Sequence, residues 1–432
     1  PLFVLLGSMN YELDSSVLLT FLIKLYCHLR RDLMNKTLAG VRVLDLTHML
    51  AGPYGSMILA DLGAETIKVE PLQGEGTRKL LANDPNNSLD GMGAYYITLN
   101  RNKKSVAIDL KSEKGLRVFY RLVEKSDIVI SNFGAGVAER LKIDYLTLKQ
   151  INSRIITCSI SGFGSDGPGS KRPAFDQVAQ AMGGGMSITG LDRQQPVRAG
   201  IPIGDLGGGM FGVMGILAAI IEREQSGIGQ HVDISMLDCQ VSMLNYMATM
   251  HFLSGEDPYP IGNSHFVHVP YNTFLCSDGF IVIAVITDNF WHNLKEVIDC
   301  TEFRDDKFDT QPGRWKEKDL IEKKINEALI TNTCKFWLDK LEAKRIPCGP
   351  VNTFSQVLSD EQVIHRNMVV DLPHPNGKST KGPGNPIKLS RGSDTVFTAA
   401  PTLGEHTDDI MMELLNMTAD ELADLKSQEV IS

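Results

Sequence analysis

The chain has 432 residues, 43% of them hydrophobic, and a formal charge of −9 at pH 7, an ordinary composition for a globular protein of two or three domains. An acidic chain without a long run of lysine and arginine is a poor partner for nucleic acid, because binding to the phosphate backbone requires a basic face. The seven cysteines form no C-x-x-C pair, so we expect neither a zinc site nor a disulfide framework. This pattern indicates a reducing compartment, cytoplasmic or, in a eukaryote, mitochondrial or in another organelle.

The first 33 residues differ in pattern from the rest. Their apolar run at 17–26 is too short for a membrane span, and two arginines follow the run where a secretory signal would have them precede it. We interpret 1–33 as an extension of undefined role, with a weak amphipathic anchor as the alternative. No later segment approaches about 18 uninterrupted apolar residues, so we expect no membrane partner.

From residue 41 onwards, short apolar strands alternate with helices. This alternation predicts a doubly wound parallel sheet of the Rossmann-like α/β class, in a large domain at 34–225. In such sheets, ligands bind beyond the carboxyl ends of the strands. Strands are predicted at 41–46, 66–69, 105–108, 127–130 and 155–160, and helices near 53–62, 112–125 and 210–225.

The second half of the chain changes in pattern. A strand at 229–235 and a Met-rich helix at 236–254 belong to a linker region at 226–260. The Ser-Asp-Gly sequence at 277–279 predicts a hairpin turn in a smaller α+β domain at 261–350, with helices near 288–299, 314–330 and 334–345. Residues 351–432 form a return linker and closing helices that pack on the large domain, the last with a capping box.

The segment at 203–212 places Asp205 among glycines, between a short apolar strand and a long apolar helix. Glycine neighbours would let a large substrate approach the carboxylate and bring backbone N–H groups close to it. The alternative is a tight strand-to-helix junction in which Asp205 caps the helix. The local sequence leaves both interpretations open.

Other kinds of chemistry have weaker support. The glycines at 207–212 fit G-x-G-x-x-G, but a dinucleotide fingerprint opens the first strand-helix unit, whereas these lie halfway along the fold. A serine or cysteine nucleophile needs a histidine, and none occurs between His48 and His231. No spaced set of metal ligands is present either. What remains is carboxylate chemistry at Asp205, with Asp176 as second candidate, because an ionised carboxylate attacks an activated acyl carbon without a base.

Several motifs, in order, resemble the class III coenzyme A transferases. They include LDLTHMLAGP at 44–53, LGAETIKVE at 62–70, and the segments 100–105, 131–133, 204–205, 346–351 and 403–407. The resemblance implies transfer of CoA from an acyl-CoA donor, such as succinyl-CoA, to a small carboxylic acid. It makes Asp205 the nucleophile of an anhydride and a thioester intermediate, with backbone N–H groups of the glycines stabilising the oxyanions. CoA thioesters are then substrates, and no permanent cofactor or metal is expected.

The resemblance also assigns binding residues. Pro71 stands where an arginine is common, so Arg78 is its candidate substitute. A glycine-rich lid of some relatives matches Gly262 and Asn263, and Arg198 is a candidate for holding a second carboxylate. CoA contacts are implied at Met49, Leu50, Ala51, Ile108, Lys111, Asn132, Phe133 and Arg140.

Two other functions stay open. Racemases of 2-methylacyl-CoA share the fold, but they use a His and Asp pair, and here Phe175 precedes Asp176 where their histidine is usual. The second alternative is a non-catalytic CoA-binding protein. The resemblance further implies an interlocked homodimer.

Overall fold

The computed structural model describes residues 37–391 and 397–432. The predicted extension at 1–33 lies outside these residues. The described chain forms two compact units. Unit 1 contains the residues up to 179, 202–240 and the residues from 367 onwards, whereas unit 2 contains 180–201 and 241–366. The boundaries predicted from the sequence, at 225, 260 and 350, lie at other points of the chain.

The strands are short. Ordered along the chain, they are β1 Arg42–Asp45, β2 Glu65–Glu70, β3 Ser88–Leu89, β4 Met92–Gly93, β5 Lys103–Ala107, β6 Ile128–Ser131, β7 Ile156–Ser161, β8 His231–Ser235, β9 Tyr271–Leu275, β10 Phe280–Ala284, β11 Cys348–Pro350, β12 Val369–Pro373 and β13 Ser379–Pro383. Each of the strands predicted from the sequence at 41–160 corresponds to one of these.

The helices vary widely in length. They are α1 Ala51–Asp61, α2 Ala94–Asn100, α3 Glu113–Glu124, α4 Val137–Arg140, α5 Tyr145–Leu148, α6 Asp176–Met182, α7 Gly185–Ile188, α8 Ile203–Ser226, α9 Met236–Leu244, α10 Tyr246–Ser254, α11 Asp288–Val297, α12 Gln311–Lys316, α13 Lys318–Leu329, α14 Cys334–Ala343, α15 Phe354–Val357, α16 Glu361–His365, α17 Thr407–Leu415 and α18 Ala419–Ser427. The predicted capping box of α18 is present, formed by Thr418 and Glu421.

Unit 1 is built on a parallel sheet in the order β5-β2-β1-β6-β7-β8. Its central strands are almost completely buried: β6 is apolar except for Ser131, and β1 buries Asp45 beside the apolar Val43 and Leu44. The chain winds from β1 outwards to β5 and then returns to β6, so the winding reverses between β1 and β6. The predicted α/β fold with a parallel sheet is confirmed, and a ligand site is expected beyond the carboxyl ends of these two strands.

The prediction of a strand directly before Asp205 is wrong. Residue 203 already belongs to α8, so Asp205 lies in the first turn of a helix of 24 residues. The glycines after it allow close packing of α8 on α1: a Cβ on Gly209 would lie 2.7 Å from the carbonyl oxygen of Ala51, and one on Gly55 3.1 Å from the carbonyl oxygen of Gly209. Close packing therefore accounts for two glycines of the motif: Gly209 faces α1, and a Cβ on Gly212 would lie 3.1 Å from the side chain of Ile160 on β7.

By length and composition, α8 alone among the helices of the described residues would be long and apolar enough to cross a membrane. Core helices of soluble proteins pass the same test. Here α8 packs on α1 and β7 and contributes Val213, Ile216 and Ala219 to the hydrophobic core of unit 1.

Unit 2 contains an antiparallel sheet of β11, β10 and β9, and the hairpin predicted at 277–279 joins β9 to β10. Its core combines aliphatic with aromatic side chains, and the ring centroids of Trp291 and Phe303 lie 5.0 Å apart. The Met-rich helix predicted at 236–254 is two helices, because Asn245 takes up a left-handed conformation with φ 51°.

Arg101 and Asp61 form a buried ion pair in unit 1, with distances of 2.7 and 3.1 Å between the guanidinium nitrogens and the carboxylate oxygens. We predict that Asp61→Ala lowers the free energy of unfolding by about 3 kcal/mol, because it leaves an uncompensated buried charge. Urea denaturation followed by circular dichroism measures the loss. Glu113→Ala, which removes the exposed partner of Arg117, is the control and should cost about 0.5 kcal/mol or less. Equal losses for the two variants would contradict the prediction.

Candidate active site

A cavity of about 370 Å³ lies beyond the carboxyl ends of β1, β2, β5 and β6, at the place where the winding of the sheet reverses. The loops that follow the four strands supply its walls, so residues from distant parts of the sequence meet there. The lining residues are Leu46, Thr47, His48, Met49, Val69, Glu70, Pro71, Gly74, Glu75, Gly76, Ile108, Asp109, Leu110, Lys111, Phe133 and Leu141.

The loop at 46–50, between β1 and α1, is fixed by the side chain of Asn132. Its Oδ1 accepts a hydrogen bond from the backbone N–H of His48 at 2.9 Å, and its Nδ2 donates to the carbonyl oxygen of His48 at 2.7 Å. The His48 ring lies against Phe133, with centroids 5.8 Å apart. Burial lowers the pKa of His48, so the ring is neutral at pH 7.

The structure brings together part of the predicted CoA site. Met49, Ile108, Lys111 and Phe133 line the cavity, and Asn132 holds the loop beside it. Leu50 is the N-cap of α1, and Ala51 is buried as its first residue.

Arg78 and Arg140, like Leu50, Ala51 and Asn132, are not among the residues that line the cavity. Arg140 is exposed at the end of α4. Arg78 binds both carboxylate oxygens of Glu70, at 2.7 and 2.6 Å, and its guanidinium lies over the ring of Tyr96. The guanidinium is thus committed to contacts inside unit 1.

Asp176 organises the first turn of α8. Its Oδ1 accepts hydrogen bonds from the backbone N–H groups of Gly204, at 2.8 Å, and Asp205, at 3.2 Å. The capping role considered for Asp205 therefore belongs to Asp176, which lies at the start of another helix. The side chain of Asp205 is left without a capping function.

The surroundings of Asp205 disfavour its charge. Burial and, to a smaller extent, the charge of Asp176 raise the pKa of Asp205 to about 6. A carboxylate that is ionised at pH 7 but poorly solvated is a reactive group, and such shifts are typical of functional sites.

The oxyanion donors expected from the glycine segment are already engaged. The first-turn N–H groups of Gly204 and Asp205 bind Asp176, and that of Leu206 binds the carbonyl oxygen of Pro202 at 3.0 Å. These three N–H groups therefore have acceptors before any substrate is bound.

Sequence reasoning missed Tyr95, on α2. Burial, followed by the charges of Asp205, Glu75 and Asp176, raises the pKa of Tyr95 to about 12. The phenol is therefore a permanent hydrogen-bond donor within electrostatic reach of Asp205. The sequence signal was a pair of tyrosines shortly before the segment at 100–105, too far along the chain from Asp205 to be linked to it.

The remaining predicted residues lie outside this cavity. Phe175 is exposed immediately before α6. Three belong to unit 2: Arg198 donates to the carbonyl oxygens of Ala199 and Gly200, Gly262 has a φ of 61°, and Asn263 donates to Thr273.

Unit 2 contains a larger cavity of about 840 Å³, lined by Met250, Tyr259 and Trp315 among others. Of its lining residues, none coincides with a predicted site residue, so size alone does not identify the functional site. Within the described part of the chain, no cluster of three or more His, Cys, Asp or Glu side chains has the geometry to hold a metal ion.

Residues 38–407 match CoA-transferase family III. Human succinyl-CoA:glutarate CoA-transferase is 33% identical over 92% of this chain and 90% of its own length. Formyl-CoA:oxalate CoA-transferase of Streptomyces avermitilis is 35% identical over 92% of this chain and 100% of its own. The crystal structure of a CaiB/BaiF family protein from Brucella suis matches with a TM-score of 0.78 and 34% identity, over 88% of this chain and 100% of that one.

Together, the parallel α/β fold and these relatives define the protein as a transferase that acts on CoA thioesters. More specifically, the chain belongs to CoA-transferase family III.

We predict that Asp205→Asn stabilises the protein above pH 6. A carboxyl whose folded-state pKa is raised from its ordinary 3.8 to about 6 destabilises the folded state when ionised, and this cost disappears as the pH falls towards 3.8. After allowance for solvent screening, the gain should reach about 2 kcal/mol at pH 8. Urea denaturation of both proteins at pH 8 and pH 4 measures it. A difference that does not depend on pH would show that the ionisation of Asp205 is not its source.

Proposed function

We propose that this enzyme moves CoA between carboxylic acids through covalent intermediates on Asp205. A carboxylate oxygen of Asp205 attacks the donor thioester carbon, the C–S bond breaks, and CoA thiolate leaves behind an aspartyl anhydride. The thiolate attacks the aspartyl carbonyl, which releases the donor acid and forms an aspartyl-CoA thioester. The acceptor carboxylate reverses both steps, so new acyl-CoA leaves and Asp205 is restored.

The observation that carries the proposal is the position of Asp205, a half-buried carboxylate with a raised pKa, held by Asp176 in the first turn of α8. An ionised carboxylate is itself the nucleophile, so the reaction needs no general base. The protonated phenol of Tyr95 is suited to donate a hydrogen bond where negative charge develops on the acyl oxygen. In this mechanism the phenol of Tyr95 replaces the backbone N–H groups of Gly204 and Asp205, which already donate to Asp176.

We place the nucleotide and pantetheine parts of CoA in the 370 Å³ cavity of unit 1. Ile108 and Phe133 offer apolar surface, and Lys111 offers a charge for a phosphate. As substrates we propose succinyl-CoA and a small dicarboxylic acid, because relatives are named for succinyl-CoA with glutarate or mesaconate. An assay of succinyl-CoA against glutarate, mesaconate, malate, oxalate and carnitine ranks these acceptors.

We further propose that the active form is a homodimer. Unit 2 exposes large apolar side chains, among them Phe252 at 82% and Leu253 at 84%, and a partner copy would bury such surface. Sedimentation equilibrium at micromolar concentration should give twice the chain mass, and a monomer would contradict this part of the proposal.

The cellular location that we propose is a reducing compartment, either the cytoplasm or an organelle. The cysteine pattern of the sequence supports it, since the seven residues have no framework spacing. Cell fractionation with an antibody to the protein tests the location, and recovery from the secreted fraction would contradict it.

Trapping tests the nucleophile. With succinyl-CoA and hydroxylamine, the wild-type protein should acquire a hydroxamate on Asp205, which peptide mass spectrometry detects. Asp205→Ala should lose about 10³-fold or more in kcat, because the covalent route is removed. Asp424→Asn, at an exposed aspartate of α18, is the control and should retain full activity.

Transfer by Asp205→Ala at the wild-type rate would overturn the mechanism. Exchange of deuterium at C2 of a 2-methylacyl-CoA, without transfer, would indicate the racemase instead.

The pH profile of the reaction tests whether the charge of Asp176 raises the pKa of Asp205. We expect kcat/KM for the acyl-CoA donor to rise with pH and level off above about 6, since only ionised Asp205 attacks. Asp176→Asn keeps an oxygen that accepts the two backbone N–H groups but removes the charge, so the acid limb should move to lower pH. Stopped assays between pH 4.5 and 8 measure both profiles. An unmoved limb would show that Asp176 does not influence the ionisation of Asp205.

A further inference from the structure

A fully buried lysine lies next to the proposed CoA cavity. Lys68, on β2, is 0% exposed, and its Nζ donates a hydrogen bond to the carbonyl oxygen of Thr47 at 2.7 Å. Placing an ammonium group inside a protein is costly unless it is paired and hydrogen-bonded. The proposed transfer reaction makes no direct use of Lys68.

The charge of Lys68 is balanced by two buried carboxylates. Asp45 lies opposite Lys68 in the register of β1 and β2, so the two side chains lie on the same face of the sheet, and Glu70 follows on that face two residues later. Burial would raise the pKa of Asp45, but the charges of Lys103 and Lys68 outweigh it and hold that pKa well below its usual range. Hydrogen bonding to Arg78, with help from Lys68, similarly lowers the pKa of Glu70 against the effect of burial.

Together these groups form an alternating set of charges, which we call the buried charge ladder. Its members are Lys103, Asp45, Lys68, Glu70 and Arg78, from strands β5, β1 and β2 and the segment after β2. Its outer contacts are direct ion pairs, of 2.9 Å between Lys103 and Asp45 and 2.6 Å between Arg78 and Glu70.

The ladder holds Thr47 by both of its backbone polar groups. Oδ1 of Asp45 accepts from the N–H of Thr47 at 2.9 Å, while Lys68 binds the carbonyl oxygen of the same residue. Two residues later, Met49 has a φ of 62°, a left-handed conformation that is costly for a residue other than glycine. The loop therefore holds an unfavourable backbone shape beside an anchored residue.

We infer that Lys68 is a positioning residue for acyl-CoA, fixing the loop at 46–50 in the shape that binds the nucleotide end of the substrate. Lys68 donates a hydrogen bond to the loop that forms one wall of the cavity, and its charge attracts Glu70 of the neighbouring wall. Lys68 therefore helps to fix the position of one wall relative to the other. The inference rests on the proposed function, in that the cavity of unit 1 is taken as the CoA site.

Lys68→Met tests the inference, since it keeps the length of the side chain and removes both the charge and the hydrogen bond. The dissociation constant for CoA, measured by isothermal titration calorimetry, should rise about tenfold or more, because a loop misplaced by a fraction of an ångström loses its contacts. The KM for succinyl-CoA should rise by the same factor, with kcat and the acceptor KM within about twofold of wild type. A purely structural role would not separate the two substrates in this way.

Ile156→Ala is the control for lost stability. Ile156 is buried on β7 within another part of the core of unit 1 and is not among the residues lining the cavity, so its truncation lowers the melting temperature while the CoA affinity should stay within about twofold. If Lys68→Met does not fold, Lys68→Gln replaces it. This change removes the charge and shortens the side chain while keeping a polar end in the interior, and it should weaken CoA binding by about fivefold or more.

The outcomes distinguish a failure of the positioning role of Lys68 from a failure of the proposed CoA site. Wild-type affinity for CoA in Lys68→Met, or in Lys68→Gln where the first variant does not fold, overturns the positioning role and leaves the transferase assignment intact. Wild-type protein that binds no CoA overturns the placement of the CoA site. Equal weakening in Lys68→Met and Ile156→Ala at matched stability also overturns the positioning role.

Discussion

The contact between Asp176 and the first turn of α8 fixes where Asp205 lies and adds to the effect of burial on its ionisation. The same carboxylate oxygen that accepts the N–H groups of Gly204 and Asp205 also carries the negative charge that opposes ionisation of the neighbouring aspartate. One side chain thus provides geometry and electrostatics together. A capping residue without charge would supply only the first, and a more distant acid only the second.

Much of the sheet could be predicted from the sequence, because buried strands carry runs of apolar residues that leave a clear pattern. Strand β6 is of this kind, and β1, β2 and β7 combine apolar residues with buried polar ones such as Asp45 and Lys68. The segment before Asp205 misled the prediction, since Ile203 and its apolar neighbours fit a strand as well as a buried helix end. Glycines that pack two helices together also look, in sequence, like glycines that bend a loop.

The site was only partly predictable, because some of its residues meet only in the tertiary fold. Loop residues such as Met49 and Phe133 follow strands directly and could be placed from their motifs. Tyr95 comes within electrostatic reach of Asp205 only through the tertiary fold, and no spacing in the sequence indicates this. Arg78 was a candidate for a phosphate contact because Pro71 stands where an arginine is common, and nothing in the sequence indicates that Arg78 pairs with Glu70.

The close approach of α1 and α8 has a consequence for how the protein can change. The backbone of Gly209 lies so near Ala51 that even a methyl group would have to displace a carbonyl oxygen. Since α1 starts where the loop at 46–50 ends, a shift of one helix against the other would move that loop relative to Asp205 in the first turn of α8. In the proposed reaction, a change of acceptor acid is therefore more readily accommodated in the outer loops than at the contact between α1 and α8.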